Sequence, residues 1–132
     1  MTAGTTDIAG AEMEVLVALW RLESGTVRDV MEELRREGRR LAYTTVLTLM
    51  SRLERKGHVV RSSKDGLALV YRPRITREKV LKARLDAMVR QLGDGEAGPL
   101  VLQLVQAHKL STSDIQQLRE LLGQLESEAR GR

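Results

Sequence analysis

The sequence has 132 residues, 42% of them hydrophobic, but with no Phe, one Trp and two Tyr, so one core of ordinary size must be built from aliphatic side chains. The absence of cysteine excludes a disulfide framework and any thiolate metal site, and it is typical of a reducing compartment. The net charge of +4 is uneven: residues 39–74 carry nine Lys or Arg against two acids, a balance of +7, which is as compatible with a polyanion partner as with a well-solvated surface.

Three short helices are predicted over residues 11–56, each with apolar residues at the spacing of one helix face. Gly25, Gly38 and Gly57 follow the three apolar stripes and are expected to end the helices. Thr26 and Asp29 have the spacing of a capping box at the start of the second helix. We expect the buried faces to be Met13, Leu16, Val17 and Trp20, then Val27, Val30, Met31 and Leu34, then Val46, Leu49, Met50 and Leu53.

A β-hairpin is predicted next, in the segment "HVVRSSKDGLALVYRP" over residues 58–73. β-Branched and aromatic residues flank Asp65-Gly66, and this dipeptide is one of the strongest short-range hairpin signals. Pro73 is expected to end the second strand because it cannot donate a hydrogen bond to the sheet.

The rest of the chain is predicted to be helical. Thr76 is expected to cap a fourth helix, residues 93–99 form a linker, and the apolar segment that follows forms a short helix that needs to be covered. Ser111 and Asp114 form a second capping box before the last helix. The last two helices carry more apolar surface than they can bury in each other, so we expect a homodimer held by Leu100, Val101, Leu104, Val105, Ile115, Leu118, Leu122 and Leu125.

The third helix contains many hydroxyl residues, which compete with a helix's own backbone for hydrogen bonds. With about 100° per residue and Thr44 at zero, the four residues of the predicted buried face fall between about 140° and 240°. The hydroxyls and arginines fall between about −20° and 80°, with Thr45 just outside this arc. Such a face of short side chains and arginines fits the major groove of DNA. The predicted DNA-binding residues, with flanking positions and the wing, are Arg28, Tyr43, Thr44, Thr45, Thr48, Ser51, Arg52, Arg55, Arg61 and Lys64.

The order of three helices and a hairpin predicts a winged helix-turn-helix. The predicted fold class is mainly α with a small β-hairpin. Residues 1–74 form the winged-helix DNA-binding domain, with the DNA-reading helix at about 42–56 and the wing at about 58–72, and residues 75–132 form a helical dimerisation domain. Arg72, like Arg61 and Lys64, is expected to reach backbone phosphates.

Five segments resemble the BlaI/MecI penicillinase-repressor family: "AEMEVLVALW", "GTVRDVMEEL", "LAYTTVLTLMSRLERKGHVVR", "YRPRITREK" and "LSTSDIQQLRELL". The resemblance covers about residues 8–126. It implies a dimeric repressor that binds a palindromic operator, with base contacts from Thr44, Thr45, Thr48 and Arg52 and backbone contacts from the wing. It further implies control of a β-lactam or cell-wall-stress operon and release when a membrane-bound sensor protease cuts the C-terminal domain.

Two departures from the family pattern limit what carries over. Copper-responsive members carry a cysteine cluster near the C-terminus, which this chain lacks, so that route to copper sensing is excluded. Staphylococcal members are cut at an Asn-Phe bond in the short apolar helix, where this chain has Gln103-Leu104.

Other kinds of site are not expected. No Ser-His-Asp set, glycine-rich phosphate loop or carboxylate pair is recognisable, so neither an enzyme nor a cofactor is expected. His58 and His108 lack carboxylate or cysteine partners at ligand spacing, so no metal site is expected. The chain shows neither a secretion signal nor a stretch of roughly 18 apolar residues, so we expect a cytoplasmic protein without membrane insertion.

Two other functions remain open from the sequence. The first is a winged-helix module that binds a protein without contacting DNA, and a weak dependence of binding on salt would identify it. The second is a regulator released by a small ligand, for which the aromatic-poor composition offers no obvious pocket lining.

Overall fold

A computed structural model describes residues 7–62 and 68–131 of the chain. The order of elements is three helices, two strands and three helices, as the sequence predicts. Their bounds are α1 Gly10–Leu22, α2 Val27–Arg36, α3 Tyr43–Arg55, β1 Val59–Ser62, β2 Val70–Pro73, α4 Arg77–Leu92, α5 Gly98–Ala107 and α6 Thr112–Arg130. The predicted fold class, mainly α with a small β-hairpin in a winged helix-turn-helix followed by a helical segment, is confirmed.

The core lies between α1, α2 and α3, which all contact one another, and the two strands close it on one side. The predicted buried face of α3 is confirmed, since Val46, Leu49, Met50 and Leu53 are all buried. In α2 the buried residues are Val27, Val30 and Leu34, while Met31 is only half-buried.

The predicted buried face of α1 is confirmed in part. Leu16 is buried, Met13 and Trp20 are partly buried and pack against the core, and Val17 is half-buried. Because α1 contacts α2, α3 and β2 and has apolar residues on nearly every side, the spacing of one stripe does not determine which side faces the core. The residues of α1 that are buried are Glu12, Val15, Leu16, Ala18 and Leu19.

Glycine ends both α2 and α3 by the same geometry. Gly38 and Gly57 have φ of 82° and 84°, a left-handed conformation that is costly for residues with a Cβ. After α3, the Gly57 amide donates to the Glu54 carbonyl at 2.9 Å and the next amide, of His58, donates to the Leu53 carbonyl at 2.9 Å. This Schellman pattern satisfies carbonyls at the helix end and directs the chain from α3 into β1.

β1 and β2 pair antiparallel, with Val59 opposite Pro73 and Ser62 opposite Val70. The predicted hairpin is confirmed in its strands, while its Asp65-Gly66 turn lies outside the described residues. Tyr71 also exchanges two backbone hydrogen bonds with Gly25, at 2.8 and 2.9 Å. Gly25, just before α2, therefore forms an isolated antiparallel β-bridge with β2. The Tyr71 ring is buried in the core, and the wing is thereby anchored to the helices.

The chain forms two compact units that divide between Ala87 and Met88, within α4, whereas the sequence predicts a functional boundary between residues 74 and 75. The first half of α4 belongs with the winged helix because Val80 is buried in its core and the Arg84 guanidinium donates to the Ile8 carbonyl at 3.1 Å. The Trp20 indole N–H donates to the Ile75 carbonyl at 2.9 Å, which fixes the chain as it enters α4.

In the second unit, α5 begins at Gly98, inside the segment predicted as a linker. The predicted capping box of α6 is confirmed: the Asp114 amide donates to the Ser111 hydroxyl at 3.0 Å and the Ser111 amide to the Asp114 carboxylate at 3.3 Å. Neither α5 nor α6 contains a buried residue, although both are rich in leucine and valine.

Candidate nucleic-acid interface

One side of α3 faces solvent and carries most of the predicted DNA-binding residues. Thr44, Thr45, Thr48, Arg52 and Arg55 are exposed. Ser51, predicted for the same face, is half-buried. The exposed arc lies opposite the four buried apolar residues, so packing of the core fixes the direction in which the arc points. We call these six residues the α3 face.

The Thr48 side chain is already hydrogen-bonded within its own helix. Its hydroxyl donates to the Thr44 carbonyl at 2.9 Å, one turn back. This bond uses the hydroxyl proton and fixes the rotamer, so Thr48 presents its methyl group and the acceptor lone pairs of its oxygen to a ligand. Such a group suits contact with a thymine methyl or a base amino group.

The arginine of the wing forms an ion pair with the helix. The Arg61 guanidinium lies 2.9 Å from the Glu54 carboxylate on α3, with both side chains partly exposed. The pair connects the wing to the end of α3. It also partly neutralises the positive charge of Arg61, which we expect to contact backbone phosphate. Arg28, at the start of α2, is exposed, and Lys64 lies outside the described residues.

An apolar edge borders the α3 face, and the sequence pattern indicates only part of it. Tyr43 and Leu47 are exposed on α3 and, with Leu69 and Tyr71 of the wing, line a cavity of about 210 Å³ beside the start of α2. Leu47 is not among the predicted site residues, because it lies outside both the apolar arc and the hydroxyl arc. Leu47 could have been predicted as part of this apolar edge, because it is a leucine of the third helix that lies outside the apolar arc.

The end of α3 is held by a partly buried network of charged groups. The Lys56 ammonium lies 2.7 Å from the Glu12 carboxylate, which also accepts a hydrogen bond from the Ala9 amide at 3.1 Å. Lys56 further donates to the Asp7 carbonyl at 2.7 Å, and the Asp7 carboxylate lies 3.0 Å from the buried His58 ring. The network places the ends of α1, α3 and β1 in a fixed arrangement.

The Glu12 carboxyl stays ionised at neutral pH beside the Lys56 ammonium. Burial raises the pKa of its carboxyl, but the hydrogen bond from Lys56, the Ala9 amide and the positive charges of Lys56 and Arg52 together lower the pKa below its ordinary value of 4.5. His58 is buried beside the Asp7 carboxylate, 3.0 Å away. No group of three or more His, Cys, Asp or Glu side chains able to hold a metal occurs in residues 7–62 and 68–131.

The residues predicted for dimerisation are largely in solvent. Val101, Leu104, Val105, Ile115, Leu122 and Leu125 are exposed, and Leu122 and Leu125 retain 54% and 60% of their accessible surface. Leu100 and Leu118 are half-buried. Gln103 is exposed on α5 beside Leu104. None of the described helices is long and apolar enough to cross a membrane.

A three-helix core with a two-stranded wing, in which the third helix exposes a polar outer face, defines a winged helix-turn-helix protein. Comparison with known families refines this class. The model of the penicillinase repressor family matches residues 8–124. The chain belongs to that family, which consists of transcriptional repressors and not of enzymes.

Three curated relatives illustrate the similarity. The transcriptional regulator BlaI of Mycobacterium tuberculosis is 32% identical over 127 residues, covering 95% of this chain and 89% of the relative. The penicillinase repressor of Bacillus licheniformis is 26% identical, covering 87% and 88%. The methicillin resistance regulatory protein MecI of Mammaliicoccus sciuri is 27% identical, covering 89% and 94%.

Proposed function

We propose that this repressor acts as a homodimer that binds a palindromic DNA operator, with α3 in the major groove and the wing on the phosphate backbone. The observation that carries the proposal is the α3 face, where exposed hydroxyls and arginines lie opposite a buried apolar arc. A helix exposed only to be solvated would more often carry Glu, Lys and Gln. The balance of +7 over residues 39–74 adds the electrostatic attraction that a polyanion requires.

Salt dependence separates this function from that of a protein-binding module. If each subunit neutralises three or four phosphates, the slope of log K against log salt for the dimer should be about −5 to −7. Fluorescence anisotropy with DNA from the chain's own promoter measures this slope. A slope near zero, or equal affinity for an unrelated duplex at every salt concentration, would contradict operator binding and favour the protein-binding alternative.

Thr48 offers a matched pair of substitutions for the base contacts. Thr48→Val keeps the methyl group but removes the oxygen acceptor, so it should retain the base preference if the methyl group contacts thymine and lose it if the oxygen accepts from a base amino group. Thr48→Ala removes the methyl group and should relax preference at one position of each half-site by about 1–3 kcal/mol. By contrast, Lys64→Ala should weaken binding to all sequences alike and flatten the salt slope. If Thr48→Ala and Lys64→Ala behave alike, the division between base and backbone contacts is wrong.

Dimerisation is supported by the apolar side chains that α5 and α6 leave in solvent. Burying one Leu or Val is worth about 1.5–3 kcal/mol, so a second copy that covers this surface is strongly favoured. A two-fold axis would cover both patches at once and would also match a palindromic site.

The oligomeric state of the full chain tests this part of the proposal. Leu122→Glu places a charge in the proposed interface and should weaken the dimer by roughly 30-fold or more. Gln124→Glu adds the same charge to another side of α6 and should leave the dimer intact. Sedimentation measures both, and a wild-type chain that stays monomeric at micromolar concentration would refute the proposed dimer.

The signal we propose is a β-lactam or cell-wall stress, because relatives are named for penicillinase repression and methicillin resistance. We further propose that a membrane-bound sensor protease releases the operator by cutting within α5, with Gln103-Leu104 the candidate bond. A cut there separates α6 from the rest and removes the tether that makes the second half-site contact intramolecular. The mass of the chain after exposure of the host to a cell-wall antibiotic is the test. An operator that empties while the chain stays at full length would eliminate proteolysis.

A further inference from the structure

The first compact unit contains a charged groove of about 880 Å³ that the DNA-binding proposal does not use. It lies between the turn that leaves α3, the end of the wing and the part of α4 from its start to Asp86. The side chains that give it its charge are Lys56, Arg74, Glu78, Lys79, Lys82 and Asp86. Its volume falls within the range of about 300–1,000 Å³ that is usual for small-molecule sites.

The groove carries an excess of positive charge, with four cationic side chains against two carboxylates. Lys56 is paired with Glu12 and Lys82 with Asp86, at 2.7 and 3.2 Å. Arg74 and Lys79, in contrast, form no ion pair with any described residue. Two cations without carboxylate partners therefore face one concave surface.

The wall around these cations is held in place before any ligand arrives. The amides of Arg74 and Ile75 both donate to the His58 carbonyl, at 2.8 and 3.3 Å. The Thr76 hydroxyl accepts from the Lys79 amide at 3.1 Å, which fixes the first turn of α4. A site whose backbone is fixed loses less entropy when it binds a ligand.

Arg74 and Lys79 line the same concavity, so one small anion can contact both cations. None of the residues of the α3 face lines the groove. We therefore propose that the groove binds a small organic anion bearing a phosphate or carboxylate group, held by Arg74 and Lys79. The composition gives no sign of such a pocket, because charged side chains line most of it and aromatic residues do not.

The test measures anion binding by the full chain, with inorganic pyrophosphate and succinate as separate probes at constant ionic strength. The wild-type chain should be stabilised by at least one probe, with a thermal shift of roughly 5–10 °C at 100 times Kd. The double variant Arg74→Gln/Lys79→Gln should bind at least tenfold more weakly, since each charge-assisted hydrogen bond contributes about that factor. The matched control Arg35→Gln/Arg36→Gln removes two cations from the end of α2 and should bind as the wild type does.

Three results would overturn the proposal. The first is that neither probe gives a saturable shift with the wild-type chain. The second is that the groove variant binds as tightly as the α2 control. The third is that the groove variant instead flattens the salt slope of operator binding by about two while no small anion binds, which would assign the groove to the DNA backbone. Because the anion is measured without DNA, failure here is distinct from failure of operator binding.

Discussion

Replacing Lys56 with methionine should destabilise the protein strongly, because it leaves the Glu12 carboxylate buried without its main partner. Glu12 retains only 2% of its accessible surface, and the Lys56 ammonium 2.7 Å away is its only ion-pair partner among the described residues. Removing one partner of a fully buried pair costs about 3–5 kcal/mol, and because the Lys56 side chain keeps 29% of its accessible surface we expect a loss of about 2–3 kcal/mol. Urea denaturation at pH 7 and at a fixed protein concentration, followed by circular dichroism, measures the loss.

The pH dependence gives the sharper test of the same pair. In the wild type the pKa of Glu12 lies below 4.5, so its contribution to stability is present above pH 4.5 and is lost as the pH falls through the folded-state pKa. In Lys56→Met, burial dominates and raises the pKa of Glu12, so the variant recovers stability as the pH falls. The difference in unfolding free energy between the two proteins should therefore narrow from pH 7 to pH 4.

A double variant provides the control for this prediction. Glu12→Gln combined with Lys56→Met removes both charges and should recover a large part of the stability, because the desolvation cost disappears with the charge. A loss below 1 kcal/mol for Lys56→Met, or a difference that stays constant with pH, would refute the buried pair as the support for the end of α3.

Glu54→Gln should free Arg61, raise the affinity for all DNA sequences by a few fold and make the salt slope steeper by about one. The control Glu37→Gln removes the same charge from the end of α2 and should have a smaller effect. Equal effects of the two variants in fluorescence anisotropy would argue against a contact between the wing and DNA. Trp20→Phe loses the hydrogen bond to the Ile75 carbonyl and part of the ring volume, so it should lower the unfolding free energy by about 1–3 kcal/mol. Urea denaturation measures this loss, and a value near zero would show that the contact does not hold the start of α4.

Much of the fold follows from local patterns in the sequence. The face of α3 that packs in the core is predictable, because its apolar residues occupy a single narrow arc. Capping boxes at Thr26 and Ser111 and glycines at 38 and 57 mark helix ends through local geometry. The buried face of α1 is not predictable in this way, since a helix with apolar residues all around is oriented by the elements that pack against it.

Long-range pairing accounts for what the sequence does not indicate. The bridge between Gly25 and Tyr71 joins segments more than forty residues apart, and no local pattern signals it. Glu12 is a charged residue of the kind expected on the surface, yet it is buried against the ammonium of the partly exposed Lys56. The charged groove has the same origin, because it forms only where the end of α3 and the first half of α4 come together. The roles assigned to the DNA-binding and dimerisation residues remain predictions. In the structure most of their side chains are exposed, as both roles require.

A hydroxyl-radical footprint on the chain's own promoter shows both whether the protein binds an operator and whether the bound site has two-fold symmetry. The proposed dimer predicts two equivalent protected patches related by a two-fold axis, one or more helical turns apart. Thr48→Ala should weaken both patches equally, since each half-site meets an identical α3 face. Protection of a single patch, or no protection at a protein concentration that saturates the anisotropy signal, would contradict binding of a palindromic operator by a symmetric dimer.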